Sequence, residues 1–205
     1  LHVKKVMNIS LSENLYMIRE SVAFLKEKGR EVIYDAEHFF DGYKNNTTYA
    51  LKTLAAAVEG GAEMIVFCDT NGGSLPHEIE RMVKNAMDYL REKFGNRIKT
   101  GIHTHNDCGL AVANTISAVR TGVSMVQGTI NGYGERCGNA DLTTLIPILS
   151  KKMDIPCITD ENLKKIKQVS RFISEKANMI PQKNRPFVGS SSFAHKGGIH
   201  VSAVQ

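Results

Sequence analysis

Features that mark several well-known protein classes are absent from this chain of 205 residues. It contains no tryptophan, and basic residues outnumber acidic ones by only 26 − 21 = 5. Nucleic-acid-binding proteins usually show a basic patch with interleaved aromatics or a known module. The lysine cluster at 164–167 falls instead on a plain amphipathic helix pattern. We therefore interpret it as a solvated helix face and expect no nucleic-acid partner.

Cysteines and long apolar runs are also scarce. The four cysteines include no C-x-x-C pair, which argues against a disulfide scaffold or a zinc ribbon and fits a reducing cytoplasm. The longest apolar runs, such as Met64–Cys68 and Leu145–Leu149, fall far short of the ~20 residues that cross a bilayer. We expect a cytoplasmic protein with no membrane partner. The first residue is leucine, and we expect the sequence to begin inside a longer chain.

Apolar periodicity predicts strands that alternate with helices. The predicted strands are Glu31–Asp35, Met64–Cys68, Lys99–His103 and Ser124–Thr129. The predicted helices are Glu13–Glu27, Thr47–Glu59, Pro76–Phe94, Leu110–Arg120, Leu142–Lys152 and Asp160–Ala177. Such alternation predicts βαβ units and a parallel sheet, either an α/β barrel or a doubly wound sheet. Residues 179–187 hold two prolines and are predicted to form an extended linker.

Polar residues capable of chemistry follow each predicted strand, and this favours the barrel. They are Asp35 and Glu37, then Asp69 and Thr70, then His103, His105 and Asp107, then Glu135 and Asn139. In a (β/α)8 barrel the functional residues sit at the carboxyl ends of the strands. An open sheet concentrates them at one switch point, and no G-x-G-x-x-G sequence supports a dinucleotide fold.

The sequence His103-Thr104-His105 is the first candidate site. In a strand, residues i and i+2 point to the same face, so both imidazoles can reach one metal ion. The alternative is a hydrogen-bonded histidine pair at a barrel mouth. The glycine-rich loop Gly128–Asn139 is the second candidate, because glycines allow close backbone approach to a ligand. Such loops are often only turns.

Three further segments carry candidate residues. Asp69–Gly73 offers the Thr70 hydroxyl to a small acid, or is a simple turn in which an aspartate or Ser74 caps the next helix. Glu37 is a candidate acid or base, and Asp41-Gly42 after it is a turn signal. His195 and His200 lie in a glycine-rich segment. One of them could serve as a general base, or both are surface histidines.

Taken together, these pieces resemble one family. HTHND at 103–107, GTINGYGERCGNADL at 128–142, CDTNGG at 68–73 and SSFAHKGGIHVSAV at 191–204 look like the acyl-CoA-dependent Claisen-condensing synthases. These are the 2-isopropylmalate, homocitrate and citramalate synthases, which are relatives of the HMG-CoA lyases. EVIYDAEHFFDGYKNN at 31–46 and NGYGERCGNADL most resemble the citramalate branch.

The resemblance implies a (β/α)8 barrel with a divalent metal, Mg, Mn or Zn, at its mouth. It implies His103, His105 and Asn139 as metal ligands and Thr70 as the residue that binds the 2-oxo acid. It also implies catalytic roles for three residues: Glu37, His200 as a base delivered from the partner subunit of a homodimer, and Glu135 near the acyl-CoA end.

One family segment, D-T-T-L-R-D-G on the first strand, has no counterpart here. The expected fold class is therefore α/β, the C-terminal half of a (β/α)8 TIM barrel followed by the start of a linker subdomain. Residues 1–158 are expected to form the barrel part, and residues 159–205 the last helix and linker. Because the first-strand ligand is missing, we expect this chain alone to be inactive.

The resemblance implies condensation of acetyl-CoA with pyruvate to citramalate, in isoleucine biosynthesis. Two alternatives stay open. One is a sister synthase, 2-isopropylmalate or homocitrate synthase, with a larger 2-oxo acid. The other is a metal-binding fragment without catalysis.

Overall fold

A computed structural model describes residues 2–195, which form a parallel sheet and its covering helices. The strands are β1 (Ile33–Ala36), β2 (Met64–Asp69), β3 (Lys99–Thr104) and β4 (Met125–Gln127), paired in that order and all parallel. The helices are α1 (His2–Lys5), α2 (Leu11–Glu27), α3 (Phe39–Asn45), α4 (Thr47–Gly60), α5 (Pro76–Phe94), α6 (Ala111–Thr121), α7 (Leu142–Lys152), α8 (Asp160–Leu163) and α9 (Ile166–Lys176). Short 3₁₀ turns follow α5 and β4, at Gly95–Arg97 and Ile130–Gly132.

Local signals set the ends of the longest helix, α5. Pro76 occupies its first turn, where the missing N–H costs nothing. The Glu78 carboxylate accepts a hydrogen bond from the N–H of Leu75, and Gly95, at φ +73°, ends the helix. The predicted bounds of α5 and α7 are confirmed to the residue.

Apart from shifts of one or two residues at the ends of other elements, two predicted helical features differ from the structure. Asp41-Gly42, interpreted as a turn, lies inside α3. This helix buries Phe39 and Phe40 against the core, so apolar packing outweighs the weak helix propensity of glycine. The single helix predicted over 160–177 is split into α8 and α9 at Lys164–Lys165.

The sheet presents two different faces because successive side chains alternate along each strand. One face carries Phe67 of β2 and Ile102 of β3, which are fully buried in the core beneath α4 and α5. The other face carries a row in register across three strands, Cys68 beside His103 beside Gln127. Chemically active side chains therefore share one face, and the apolar core lies on the opposite face.

The chain divides into two compact units. The first comprises Leu1–Gln127 and Arg136–Ala140, and the second comprises Gly128–Glu135 and Asp141–Gln205, within the described part of the chain. The predicted domain boundary after residue 158 stays a prediction. None of the helices formed by residues 2–195 is both long and apolar enough to cross a membrane.

The second unit has a polar centre of its own. Arg185, inside the segment predicted to be an extended linker, is largely buried and donates hydrogen bonds to the Asn131 carbonyl at 2.6 Å and the Asp141 carboxylate at 2.8 Å. The Asn131 amide donates to the Ser170 carbonyl at 2.9 Å and accepts from the Ser170 hydroxyl at 2.6 Å. Asp141 also accepts from the N–H of Thr143 and so begins α7.

Candidate metal and substrate site

The two histidines of the H-x-H motif lie side by side at the carboxyl end of β3. His103 is within the strand and His105 follows it directly. Their Nε2 atoms are 3.3 Å apart. His105 is buried and forms a backbone bridge with Asn139. The structure thus brings together the three residues that the resemblance implies as metal ligands.

The spacing of the imidazoles suits a shared metal ion. Two nitrogen ligands ~2.1 Å from one ion, at a near-tetrahedral angle, are about 3.4 Å apart, close to the 3.3 Å between these Nε2 atoms. Among residues 2–195 no group of three or more His, Cys, Asp or Glu side chains is placed to hold a metal. The further ligands would therefore have to include groups other than these side chains, such as the amide of Asn139, whose backbone pairs with His105, a substrate or water.

Gln127 completes this cluster, although it belongs to none of the sequence motifs described above. Its side chain lies 2.8 Å from Nδ1 of His103 and 3.0 Å from a carboxylate oxygen of Asp35 on β1. Gln127 is the last residue of β4 and stands in register with His103. A polar residue at a strand's carboxyl end in a barrel is the signal that could have identified it.

Thr70 is held by the loops around it. Its hydroxyl accepts a hydrogen bond from the N–H of His38 at 2.7 Å, and its carbonyl accepts from the Arg136 guanidinium at 2.6 Å. A hydroxyl that accepts one hydrogen bond can still donate its own hydrogen. Thr70 can therefore offer an O–H to a carboxylate, and its role as the 2-oxo acid ligand stays a prediction.

Arg136 joins the loops that follow β2 and β3. Its guanidinium forms a two-pronged contact with the Asp107 carboxylate, at 2.8 and 2.9 Å, in addition to its bond with Thr70. This hydrogen bonding holds the pKa of Asp107 below its ordinary value. Gly72 sits against the same loop at φ +60°, where a Cβ would lie 2.6 to 2.9 Å from atoms of Asp107 and His105. A side chain would therefore disturb this packing.

Glu37 is exposed just beyond the end of β1. With Asp35, its negative charge acts on the thiol of Cys68, whose pKa is raised first by burial and then by these two carboxylates. In the absence of a metal, the Cys68 thiol is therefore harder to ionise than an ordinary cysteine. The acid or base role of Glu37 stays a prediction.

Three predicted residues remain, Glu135, His195 and His200. Glu135 belongs to the second compact unit and is exposed. His195 is the last described residue and is also exposed. The predicted base His200 lies outside the described residues, so its role stays a prediction. The alternative in which an aspartate or Ser74 caps the next helix is wrong, because Leu75 is the capping residue of α5, and the Ser74 hydroxyl instead donates to the buried Asp69 carboxylate at 3.1 Å.

Comparison with known proteins agrees with this architecture. Residues 1–173 match the HMGL-like family. The chain is 55% identical to the (R)-citramalate synthase of Synechocystis sp., over all of this chain and 38% of that protein. It is 34% identical to the 2-isopropylmalate synthase of Campylobacter fetus, over 98% of this chain and 38% of that protein. The chain thus spans about 38% of the length of these curated relatives.

A solved structure identifies the fold. The crystal structure of the Bacillus subtilis HMG-CoA lyase superposes with a TM-score of 0.68 at 24% identity, over 89% of this chain and 62% of that one. The fold class is therefore α/β, a part of a (β/α)8 barrel, as the sequence predicted. The family match covers residues 1–173. This chain, with its polar residues at the carboxyl ends of the strands, therefore belongs to the HMGL-like family.

Proposed function

We propose that this chain contributes to an acyl-CoA-dependent Claisen condensation, in which acetyl-CoA, pyruvate and water give citramalate and CoA. The observation that carries the proposal is the pair of imidazoles whose Nε2 atoms approach to 3.3 Å at the end of β3. The 55% identity to an (R)-citramalate synthase supports pyruvate as the acceptor, and the place in isoleucine biosynthesis is part of the proposal.

His103, His105 and Asn139 would hold a divalent metal. Two imidazole donors suit zinc better than magnesium, which prefers oxygen ligands. A bound divalent ion would supply Lewis-acid polarisation of the keto group. The Thr70 hydroxyl would donate a hydrogen bond to the carboxylate of the 2-oxo acid and so orient its carbonyl carbon toward the incoming acetyl group.

The other residues would handle protons. His200, supplied by the second subunit of a homodimer, would take a proton from the methyl group of acetyl-CoA. The enolate carbon then bonds to the keto carbon, and the resulting alkoxide takes up a proton. Glu37 is suited to deliver that proton or to position the water that cleaves the thioester, with Glu135 near the acyl-CoA end.

Metal titration tests the site. Wild-type chain and His103→Ala are titrated with Zn²⁺ by calorimetry, with His77→Ala, on α5, as a matched control. We expect zinc binding by the wild type and His77→Ala and a loss of at least tenfold in affinity for His103→Ala. Equal binding by the wild type and His103→Ala would contradict the site.

The acceptor is tested by CoA release from the product of the complete reading frame. Pyruvate, 2-oxoisovalerate and 2-oxoglutarate are offered with acetyl-CoA. We expect pyruvate to give the fastest release and citramalate as product. Preference for 2-oxoisovalerate or 2-oxoglutarate would instead assign a 2-isopropylmalate or homocitrate synthase, the activities named for more distant relatives. The present chain assayed alone is expected to release no CoA.

A further inference from the structure

A chain of hydrogen bonds runs from Asp35 through Gln127 to His103. The carboxylate oxygen of Asp35 lies 3.0 Å from one end of the Gln127 amide, and Nδ1 of His103 lies 2.8 Å from the other end. An ionised carboxylate can only accept hydrogen bonds. The amide must therefore turn its NH₂ group toward Asp35 and its carbonyl oxygen toward His103.

This orientation fixes where His103 carries its hydrogen. A carbonyl oxygen is an acceptor only, so Nδ1 of His103 must be the donor in the bond to Gln127. In a neutral imidazole with hydrogen on Nδ1, Nε2 holds the lone pair. The lone pair of His103 therefore lies on the nitrogen that faces His105, at 3.3 Å.

His105 then takes the opposite arrangement in the metal-free chain. Because Nε2 of His103 is an acceptor, the contact of 3.3 Å is a hydrogen bond only when Nε2 of His105 is the donor. The two imidazoles thus differ. His103 already presents a metal-binding lone pair, whereas His105 must give up its Nε2 hydrogen before it can bind a metal.

We infer that Gln127 is a positioning residue that holds His103 in the Nδ1–H tautomer, and that Asp35 acts through Gln127 by fixing its amide orientation. This inference rests on the proposed function, because the tautomer matters for function only if His103 binds a metal. Histidine ligands are commonly held in this way by a hydrogen bond to the other ring nitrogen. Here the group that accepts from His103 is the Gln127 amide, and the Asp35 carboxylate is the next member of the hydrogen-bond chain.

The geometry also explains why glutamine suits this position. A methionine of similar size would offer no carbonyl to His103. A glutamate would still accept from His103 but would place a second carboxylate against Asp35. The double variant Asp35→Asn with Gln127→Glu exchanges the two groups. The new asparagine NH₂ donates to the new glutamate, whose other oxygen still accepts from Nδ1 of His103.

The test reads the tautomers directly by ¹⁵N–¹H correlation of the histidine rings in metal-free chain, at a pH where imidazole is neutral. In the wild type we expect His103 with hydrogen on Nδ1 and His105 with hydrogen on Nε2. Gln127→Met should abolish the Nδ1–H preference of His103, and the double variant should restore it. Gln168→Met, at an exposed position on α9, is the control and should change nothing.

Zinc titration of the same proteins gives the second measurement. Loss of a hydrogen bond that orients a metal ligand lowers affinity by roughly 10- to 100-fold. We expect that loss for Gln127→Met, an intermediate loss for Gln127→Glu, and recovery to within about threefold in the double variant. If Gln127 acted only through its bulk, Gln127→Met, which is of similar size, would retain full zinc affinity and there would be no loss for the double variant to recover.

The outcomes separate this inference from the proposed function. Hydrogen on Nε2 of His103 in the wild type would overturn the inference, whether or not any variant folds. A folded Gln127→Met variant with unchanged zinc affinity and an unchanged His103 tautomer would also overturn the inference. In both cases, zinc binding by the wild type would still support the proposed function. Wild-type chain with the expected tautomers but no zinc affinity would instead overturn the proposed metal site and support the tautomer assignment.

Discussion

Asp35 on β1 and Gln127 on β4 are joined by a hydrogen bond of 3.0 Å, although these strands lie at opposite edges of the four-stranded sheet. Neighbouring strands are ~4.8 Å apart, so a flat sheet would separate its first and fourth strands by about 14 Å. The bond requires the sheet to curl toward the face that carries both side chains, as barrel strands do. Curvature therefore creates the concave face on which His103 lies.

The close packing at Gly72 makes the first prediction. Gly72→Ala adds a Cβ that would meet Asp107 and His105 atoms at 2.6 to 2.9 Å, in a left-handed conformation with φ +60°. We expect the free energy of unfolding to fall by about 2–4 kcal/mol and zinc affinity to fall with it, because the loop that carries His105 must shift. Urea unfolding and zinc calorimetry measure the two effects.

The neighbouring residue is the matched control for that change. Gly73 has no atom within 4 Å of an added Cβ, and its φ lies outside the left-handed region. Gly73→Ala should therefore change stability by no more than about 0.5 kcal/mol. Equal losses in the two variants would show that the close approach at Gly72 does not matter.

The sequence predicted the elements of this fold better than it predicted the site. Pro76 and Gly95 are local signals, and they define the ends of α5 without reference to the rest of the chain. The pairing of Gln127 with Asp35 depends on curvature that joins residues 92 positions apart. No local pattern encodes such a contact. The His103 and His105 pair was accessible from the sequence because the two-residue period of a strand places them on one face.

Arg136 makes the second prediction. Arg136→Lys loses the two-pronged contact with Asp107 and the bond to the Thr70 carbonyl, because an ammonium cannot reproduce the planar fork of a guanidinium. The arginine is partly exposed, so solvent screening limits the loss to about 1 kcal/mol. Thermal unfolding should show a lower Tm. The control is Arg91→Lys on α5, because the exposed contact of Arg91 with Asp88 should contribute nothing measurable to stability. An equal loss of Tm in Arg91→Lys and Arg136→Lys would contradict the prediction.

Tyr34 makes the third prediction, on alkaline stability. Burial raises the pKa of its phenol from 10.0 to about 12, with a smaller opposing effect from a hydrogen bond with Thr53. A raised pKa in the folded state means that the stabilisation is complete below pH 10 and is lost as the pH rises to about 12. We expect a loss of roughly 2 kcal/mol over that range.

Urea unfolding between pH 8 and 12 tests this dependence. Tyr34→Phe removes the ionisable group and should flatten the alkaline decline. Tyr16→Phe, on the exposed side of α2, should retain it. A decline of the same slope in Tyr34→Phe would mean that other groups cause the alkaline loss.

Arg185 makes the last prediction, in the second compact unit. Its guanidinium and the Asp141 carboxylate are only 13% and 12% exposed, and Arg185 also satisfies the Asn131 carbonyl. Arg185→Met leaves a largely buried carboxylate without its counter-ion, so we expect a loss of about 2–4 kcal/mol. Adding Asp141→Asn removes the uncompensated charge and should recover part of that loss. Arg171→Met, at an exposed position on α9, is the matched control.

Unfolding of each variant in urea measures the losses. If the double variant loses as much stability as the Arg185→Met and Asp141→Asn single variants lose together, the two side chains do not interact.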